Sequence, residues 1–291
     1  MKVQRENLLK KLSITMNIPI YQVDAFSEAI FSGNPAAVCP LDNWPDDTVL
    51  QNIAMENNLS ETAFLVRKEN HYEIRWFTPV AEVELCGHAT LASAHVLFNH
   101  LGYSEEKIAF QSRHRGKLTV TKKGALLELD FPADQLEPAL PPEGLIHAIG
   151  KKPLEIWKGK NDYLLYYGSQ EDIEGLKPDF TALKAVHARG IIVTAPGYEF
   201  DFVSRFFAPN VGVNEDPVTG SAHTSLTPFW AHRLNQLSFE AAQLSKRGGF
   251  LHCQLSGDRV LISGKANTYL IGEIFIDPST SSGTGSIYQT L

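Results

Sequence analysis

Two short segments carry most of the chemistry legible in this chain. Cys86-Gly87-His88-Ala89 and Thr219-Gly220-Ser221-Ala222 each set a glycine turn directly before a helix-like run. The first N–H groups of a helix have no internal partner, and the helix dipole adds partial positive charge there. Glycine lets a ligand approach the backbone closely. Two such turns facing each other would hold a small anion, most simply a carboxylate. Ser221 or His88 could add a side-chain hydrogen bond; the plainer alternatives make Ser221 an N-cap and His88 a satisfied turn residue. Other chemistries find no support. There is no G-x-S-x-G and no Ser-His-Asp order for nucleophilic attack. H-E-x-x-H is absent, and His88 and His95 do not share a ligand face with a carboxylate, so no metal site is expected. The remaining histidines noted, His71, His100, His114, His147, His187, His232 and His252, are assigned to surface or structure.

The elements that would position these turns come as a repeat. Arg75-Trp76-Phe77-Thr78-Pro79 recurs as Arg205-Phe206-Phe207-Ala208-Pro209, a few residues before each glycine turn. A strand, a glycine turn and a helix in the same order twice point to two lobes of one architecture. IPIYQVDAF (18–26) alternates like a half-buried strand, and GNPAAV (33–38) turns into another. Val49, Leu50, Ile53 and Ala54 fall at helical spacing, with Asp46 and Asp47 in the first turn and Asn57-Asn58 at the end. SETAFLV starts a strand with Glu61 at its head; Tyr72, Ile74 and Trp76 alternate on the next. In the helix expected over 89–101, Leu91, Ala94, Leu97, Phe98 and Leu101 form one stripe, and Ala92 and Val96 make the other side apolar, with Gly102 as C-terminal cap. A helix apolar nearly all round should be wrapped by sheet. Its counterpart is expected over 222–235. The lobes are placed at 17–135 and 136–277, joined near the Pro-rich 132–142, with the last strand free to return to the first lobe. Residues 1–16 read as a leader outside the core, and 278–291 as a loose Ser/Thr/Gly-rich tail.

Bulk properties exclude several classes. With 291 residues, 43% of them apolar and 20% charged, the chain can build a packed core. A net charge of −7 without a basic cluster argues against nucleic acid. No apolar run approaches a membrane span or a signal peptide. Cys39, Cys86 and Cys253 are too few and too scattered for a disulfide framework or a dithiol, which fits the cytoplasm.

Six segments in register then resemble a known family. VDAF (23–26), GNPAAV (33–38), NLSETAF (58–64), FTP (77–79), CGHAT (86–90) and EDPVTGSA (215–222) are similar to the PhzF, or phenazine biosynthesis-like, family over about residues 18–276. The resemblance implies an α+β fold like that of diaminopimelate epimerase: two pseudo-symmetric lobes, each a curved, mostly antiparallel sheet around a central helix, with the site between them. It implies an isomerase in which Glu61 is the acid/base, partly desolvated at its strand start and moving a proton from one carbon to another. His88 and Asp216 would orient the substrate or assist transfer. Gly87, Gly220 and Ser221 would bind its carboxylate. Asp216 could instead be a turn former before Pro217, with Glu215 as a substitute. The resemblance also implies no cofactor and suggests a homodimer. Epimerases of this fold oppose two cysteines; here Cys86 faces Thr219 in the repeat, and a hydroxyl cannot serve as a base near neutral pH. Two-base racemisation is therefore excluded from the expectation, and Cys86 is read as a small buried residue. The alternative is a non-catalytic carboxylate-binding protein on the same fold.

Overall fold

The computed structural model describes residues 16–276. The expected leader, apart from Met16, and the expected tail lie outside the described residues.

The pairing of strands repeats itself along the chain. In the first half β1 (Met16–Ala25) pairs antiparallel with β2 (Asn34–Leu41), and β2 runs parallel to β3 (Glu61–Arg67). β3 is antiparallel to β4 (Tyr72–Phe77), which carries the short β5 (Glu82–Val83) and runs parallel to β6 (Lys107–Ser112). β7 (Gly116–Lys123) and β8 (Leu126–Pro132) then follow antiparallel.

The second half begins with β9 (Glu137–Pro138), paired with β10 (Glu155–Lys158). β10, β11 (Asp162–Tyr166), β12 (Gly190–Pro196), β13 (Phe202–Phe207), β14 (Ser238–Gln243), β15 (Gly249–Ser256) and β16 (Arg259–Gly264) then repeat the same alternation of antiparallel and parallel steps. β8 pairs with β16, which stitches the two lobes together, and β17 (Ala266–Ile276) returns to β1.

Each parallel step needs a crossover, and helices supply it. Asp47–Asn57 lies between β2 and β3 and packs on Cys39 and Phe64 from the outer face. Gly87–Asn99 lies between β4 and β6, and Gly220–Leu234 between β13 and β14. These last two are the central helices.

The first central helix is buried from His88 through Ala94 and again at Val96 and Leu97. Its internal Thr90 and Ser93 hydroxyls return to the carbonyls of Cys86 and Ala89, so no hydroxyl is stranded in the core. The helix ends earlier than its apolar stripe suggests. Gly102, at φ +66°, lets the Tyr103 N–H return to the Leu97 carbonyl, and Leu101 lies beyond the last turn, 44% exposed. The second central helix contains Pro228, whose ring leaves the Thr224 carbonyl without its helical donor. The Asp134 N–H, from the segment joining the lobes, takes that carbonyl at 3.0 Å.

The repeated pentapeptide is a structural device. Arg75 holds Glu82 through two hydrogen bonds and lies 5.0 Å over the Phe77 ring. Arg205 holds Glu215 in the same way, 4.9 Å over Phe207. Each guanidinium pins the chain that follows its strand, and so fixes where the next turn starts.

Candidate active site

The two glycine turns meet. A methyl group on Gly87 would lie 3.8 Å from Gly220 Cα, and one on Gly220 would lie 3.9 Å from Gly87 Cα. The two turns face each other with the space of about one methyl group between the glycines. A methyl group at either position would meet its neighbours at ordinary van der Waals distance. Two helix N-termini are thereby brought head to head, which concentrates partial positive charge where the lobes join. Glu61 and Asp216 bring carboxylates to the same place, and a ligand carboxylate would have to lie alongside the contact.

Glu61 opens β3, and His88 sits in the first turn of the first central helix. Glu61 Oε2 lies 3.1 Å from His88 Nε2, with the Glu61 side chain 17% exposed. The pair is within ionic reach but off the line of a hydrogen bond, so this buried oxygen has no partner. Cys86 Sγ lies 3.5 Å from His88 Nδ1 and 3.9 Å from Nε2. Cys86 is therefore buried, as expected, but it is part of the cluster. Burial, reinforced by Glu61, pushes its thiol up to about 11, so at neutral pH it is protonated and a poor base. Burial opposes a charge on His88, whereas Cys86 and Glu61 favour one and carry its pKa upward. The contribution of Cys86 requires a thiolate, which neutral pH does not provide.

Asp216 comes from the turn before the second central helix. Its Oδ1 accepts from Asn34 Nδ2 at 2.8 Å and its Oδ2 from the Thr219 hydroxyl at 2.5 Å. Burial raises its pKa to about 6, with Glu61 adding to the rise while His88, Thr219 and Asn34 oppose it. Gln243, fully buried at the end of β14, ties this turn down by accepting from the Thr219 N–H and donating to the Asp216 carbonyl. Glu215 is committed to Arg205 and takes no part.

Ser221 stands at the edge of the cluster. Thr219 is the N-cap of this helix, so Ser221 is not. Its hydroxyl accepts a long 3.4 Å contact from Arg189, whose guanidinium is otherwise held by Asp162. Asn34, Cys86, Gln243 and Arg189 are the residues that sequence reasoning missed. Asn34 and Cys86 lay inside recognised motifs but were given a turn and a packing role; Gln243 and Arg189 carry no local signal.

Donor atoms of Glu61, Cys86 and His88 lie within 4.8 Å of one another, close enough to surround one metal ion. The neighbour of His88 opposes that use. A metal on Nε2 would need the ring proton on Nδ1, and Nδ1 faces the Asn34 amide nitrogen at 3.2 Å. A surface cavity of about 420 Å³ lies elsewhere, against Leu136, Trp157 and Phe229, and shares no residue with the cluster. It is not the chemical centre.

Comparison with known proteins identifies the family and the fold. Residues 23–272 match the family described as phenazine biosynthesis-like protein, PhzC-PhzF. An uncharacterised isomerase of Pseudomonas aeruginosa is 52% identical over 261 residues, covering 90% of this chain and all of the relative. One of Halalkalibacterium halodurans is 48% identical over 266 residues, covering 90% of this chain and 100% of the relative. The crystal structure of a PhzF-family protein from Enterococcus faecalis superposes with a TM-score of 0.87 at 48% identity, covering 90% of this chain and 100% of that one.

Proposed function

The chain belongs to the phenazine biosynthesis-like family and is an isomerase of it, and we propose that it moves a proton on a small carboxylated substrate with Glu61 as the single acid/base. The observation that carries this reading is the Glu61 oxygen left without a hydrogen-bond partner beside His88, where the two lobes join. An unpartnered buried carboxylate oxygen is costly to a resting protein and suited to accept a proton. Glu61 removes a proton from a carbon activated by an electron-withdrawing neighbour and returns it at another carbon on the same face. His88 orients the substrate by hydrogen bonding and stands within ionic reach of Glu61. Asp216, with a pKa of about 6, changes ionisation close to neutral pH and assists. Gly87, Gly220 and Ser221 bind the carboxylate alongside the joined helix N-termini, with Arg189 at its outer side.

The opposed pair of cysteines of a two-cysteine racemase has no counterpart here, since Thr219 stands opposite Cys86 in the repeat. The Thr219 hydroxyl is engaged with Asp216 and Gln243. Proton movement at Glu61 calls for no cofactor. Among the described residues no helix is long and apolar enough to cross a membrane. A cytoplasmic setting is supported by three buried free thiols, and a homodimer by the family resemblance.

The test is deuterium uptake from D₂O, followed by NMR, across a panel of enolisable and unsaturated carboxylic acids. The wild type should label one of them, and Glu61→Gln should lower the rate by roughly 100-fold or more. Equal labelling by the variant removes Glu61 from the mechanism. Binding without labelling by the wild type would favour a carboxylate-binding protein instead.

A further inference from the structure

Asn34 is the first residue of β2, has no solvent exposure, and stands where the lobes meet. Its placement depends on Gly33, which adopts φ +69° and passes so close to the Ala25 carbonyl oxygen that a methyl group there would sit 2.2 Å from it. Asn34 Nδ2 has three neighbours: Asp216 Oδ1 at 2.8 Å, the Val218 carbonyl oxygen at 2.9 Å and His88 Nδ1 at 3.2 Å. Its Oδ1 has no partner at all.

The orientation of an Asn amide follows from its hydrogen-bond network. Turning this one over would set Oδ1 against the Asp216 carboxyl and the Val218 carbonyl, acceptor against acceptor. A proton on Asp216 would relieve the first contact. Nothing relieves the second, because a carbonyl cannot donate. The –NH₂ group therefore faces His88 Nδ1. Its two hydrogens serve three neighbours, and a proton on Nδ1, in the other tautomer or in the imidazolium that Glu61 favours, would face an amide nitrogen with no lone pair to receive it. Cys86 makes the same demand. Its thiol, 3.5 Å from Nδ1, is a donor and not an acceptor of strength.

We propose that Asn34 is a positioning residue that fixes the tautomer of His88, leaving Nδ1 bare and the ring proton on Nε2, the nitrogen nearest Glu61. The bond runs between residues 54 apart in the chain and is held from the second lobe through Asp216 and Val218. His88 in this state can donate from Nε2 to a substrate oxygen, and cannot compete with Glu61 for the substrate's proton. That consequence rests on the acid/base reading of Glu61; the tautomer itself does not.

The experiment is a long-range ¹H–¹⁵N correlation spectrum of protein labelled with ¹⁵N-histidine, at neutral pH and without ligand. His88→Gln identifies the His88 ring by subtraction. The wild type should show a bare nitrogen at Nδ1 and a protonated one at Nε2. Asn34→Asp replaces –NH₂ by an acceptor, and should bring a proton to Nδ1. Asn34→Ser removes the amide, and should leave mixed tautomers. A proton on Nδ1 in the wild type, as imidazolium or as the other tautomer, overturns the proposal. So does a wild-type pattern that persists in folded Asn34→Asp or Asn34→Ser. If the tautomer is as stated while Glu61→Gln still exchanges deuterium, the function fails and the role of Asn34 stands.

Discussion

Replacing Asp216 by Asn should stabilise the folded protein above pH 6 and not below pH 4. Burial lifts this carboxyl from its usual 3.8 to about 6. A carboxyl whose folded pKa lies above its unfolded one holds its proton longer when folded, so stability is fully present below the unfolded pKa and falls as pH rises through the folded one. Each tenfold in acidity is about 1.4 kcal/mol, so the rise amounts to roughly 3 kcal/mol lost by the wild type between about pH 4 and pH 6.5. Asparagine carries no such penalty. Its oxygen can still accept from Asn34 Nδ2, but its amide must face the Thr219 hydroxyl, which now donates to Asp216. Exchanging that bond costs about 1 kcal/mol, leaving a net gain of about 2 kcal/mol at pH 8. Urea denaturation of both proteins between pH 4 and pH 8 measures it. A variant less stable than wild type at pH 8, or a difference that does not change with pH, refutes the reasoning.

Gly33→Ala combines a left-handed backbone with a 2.2 Å approach to Ala25 oxygen; it should cost at least about 3 kcal/mol, read as a lowered urea midpoint. Arg205→Met leaves Glu215 and the Ile173 and Leu176 carbonyls without their donor, and should destabilise by about 3 kcal/mol. Deuterium uptake per folded molecule should fall only in part, whereas complete loss of uptake would show that the placement of Asp216 depends on this pin. Cys39, Cys86 and Cys253 are buried, and burial raises the pKa of each thiol. Ellman's reagent at pH 7.5 should find none of them in the native protein and all three after denaturation. Rapid native labelling of one would show that the cluster around Cys86 opens to solvent.

The order of strand, glycine turn and helix, given twice, was legible in the sequence because each unit is built from neighbouring residues. Period-two alternation, a Gly or Asn at a helix end and an all-apolar helix are local signals, and local physics writes them. The pairings built on those units gave the two central helices the wrapping that their apolar surfaces require. Glu61, His88 and Asp216 were found through motifs, and the fold sets Glu61 against His88 and sends its charge to Asp216.

What the sequence withheld depends on distance along the chain. Asn34 meets Asp216 across 182 residues, and Gln243 meets Thr219 across 24. Their types are common in turns and strands, and nothing adjacent announces their partners. Gly87 and Gly220 were each read from their own turn, and only the structure sets the two turns face to face. A hydrogen bond or a van der Waals contact is decided by where atoms are in space, and only the closed pair of lobes puts these atoms together.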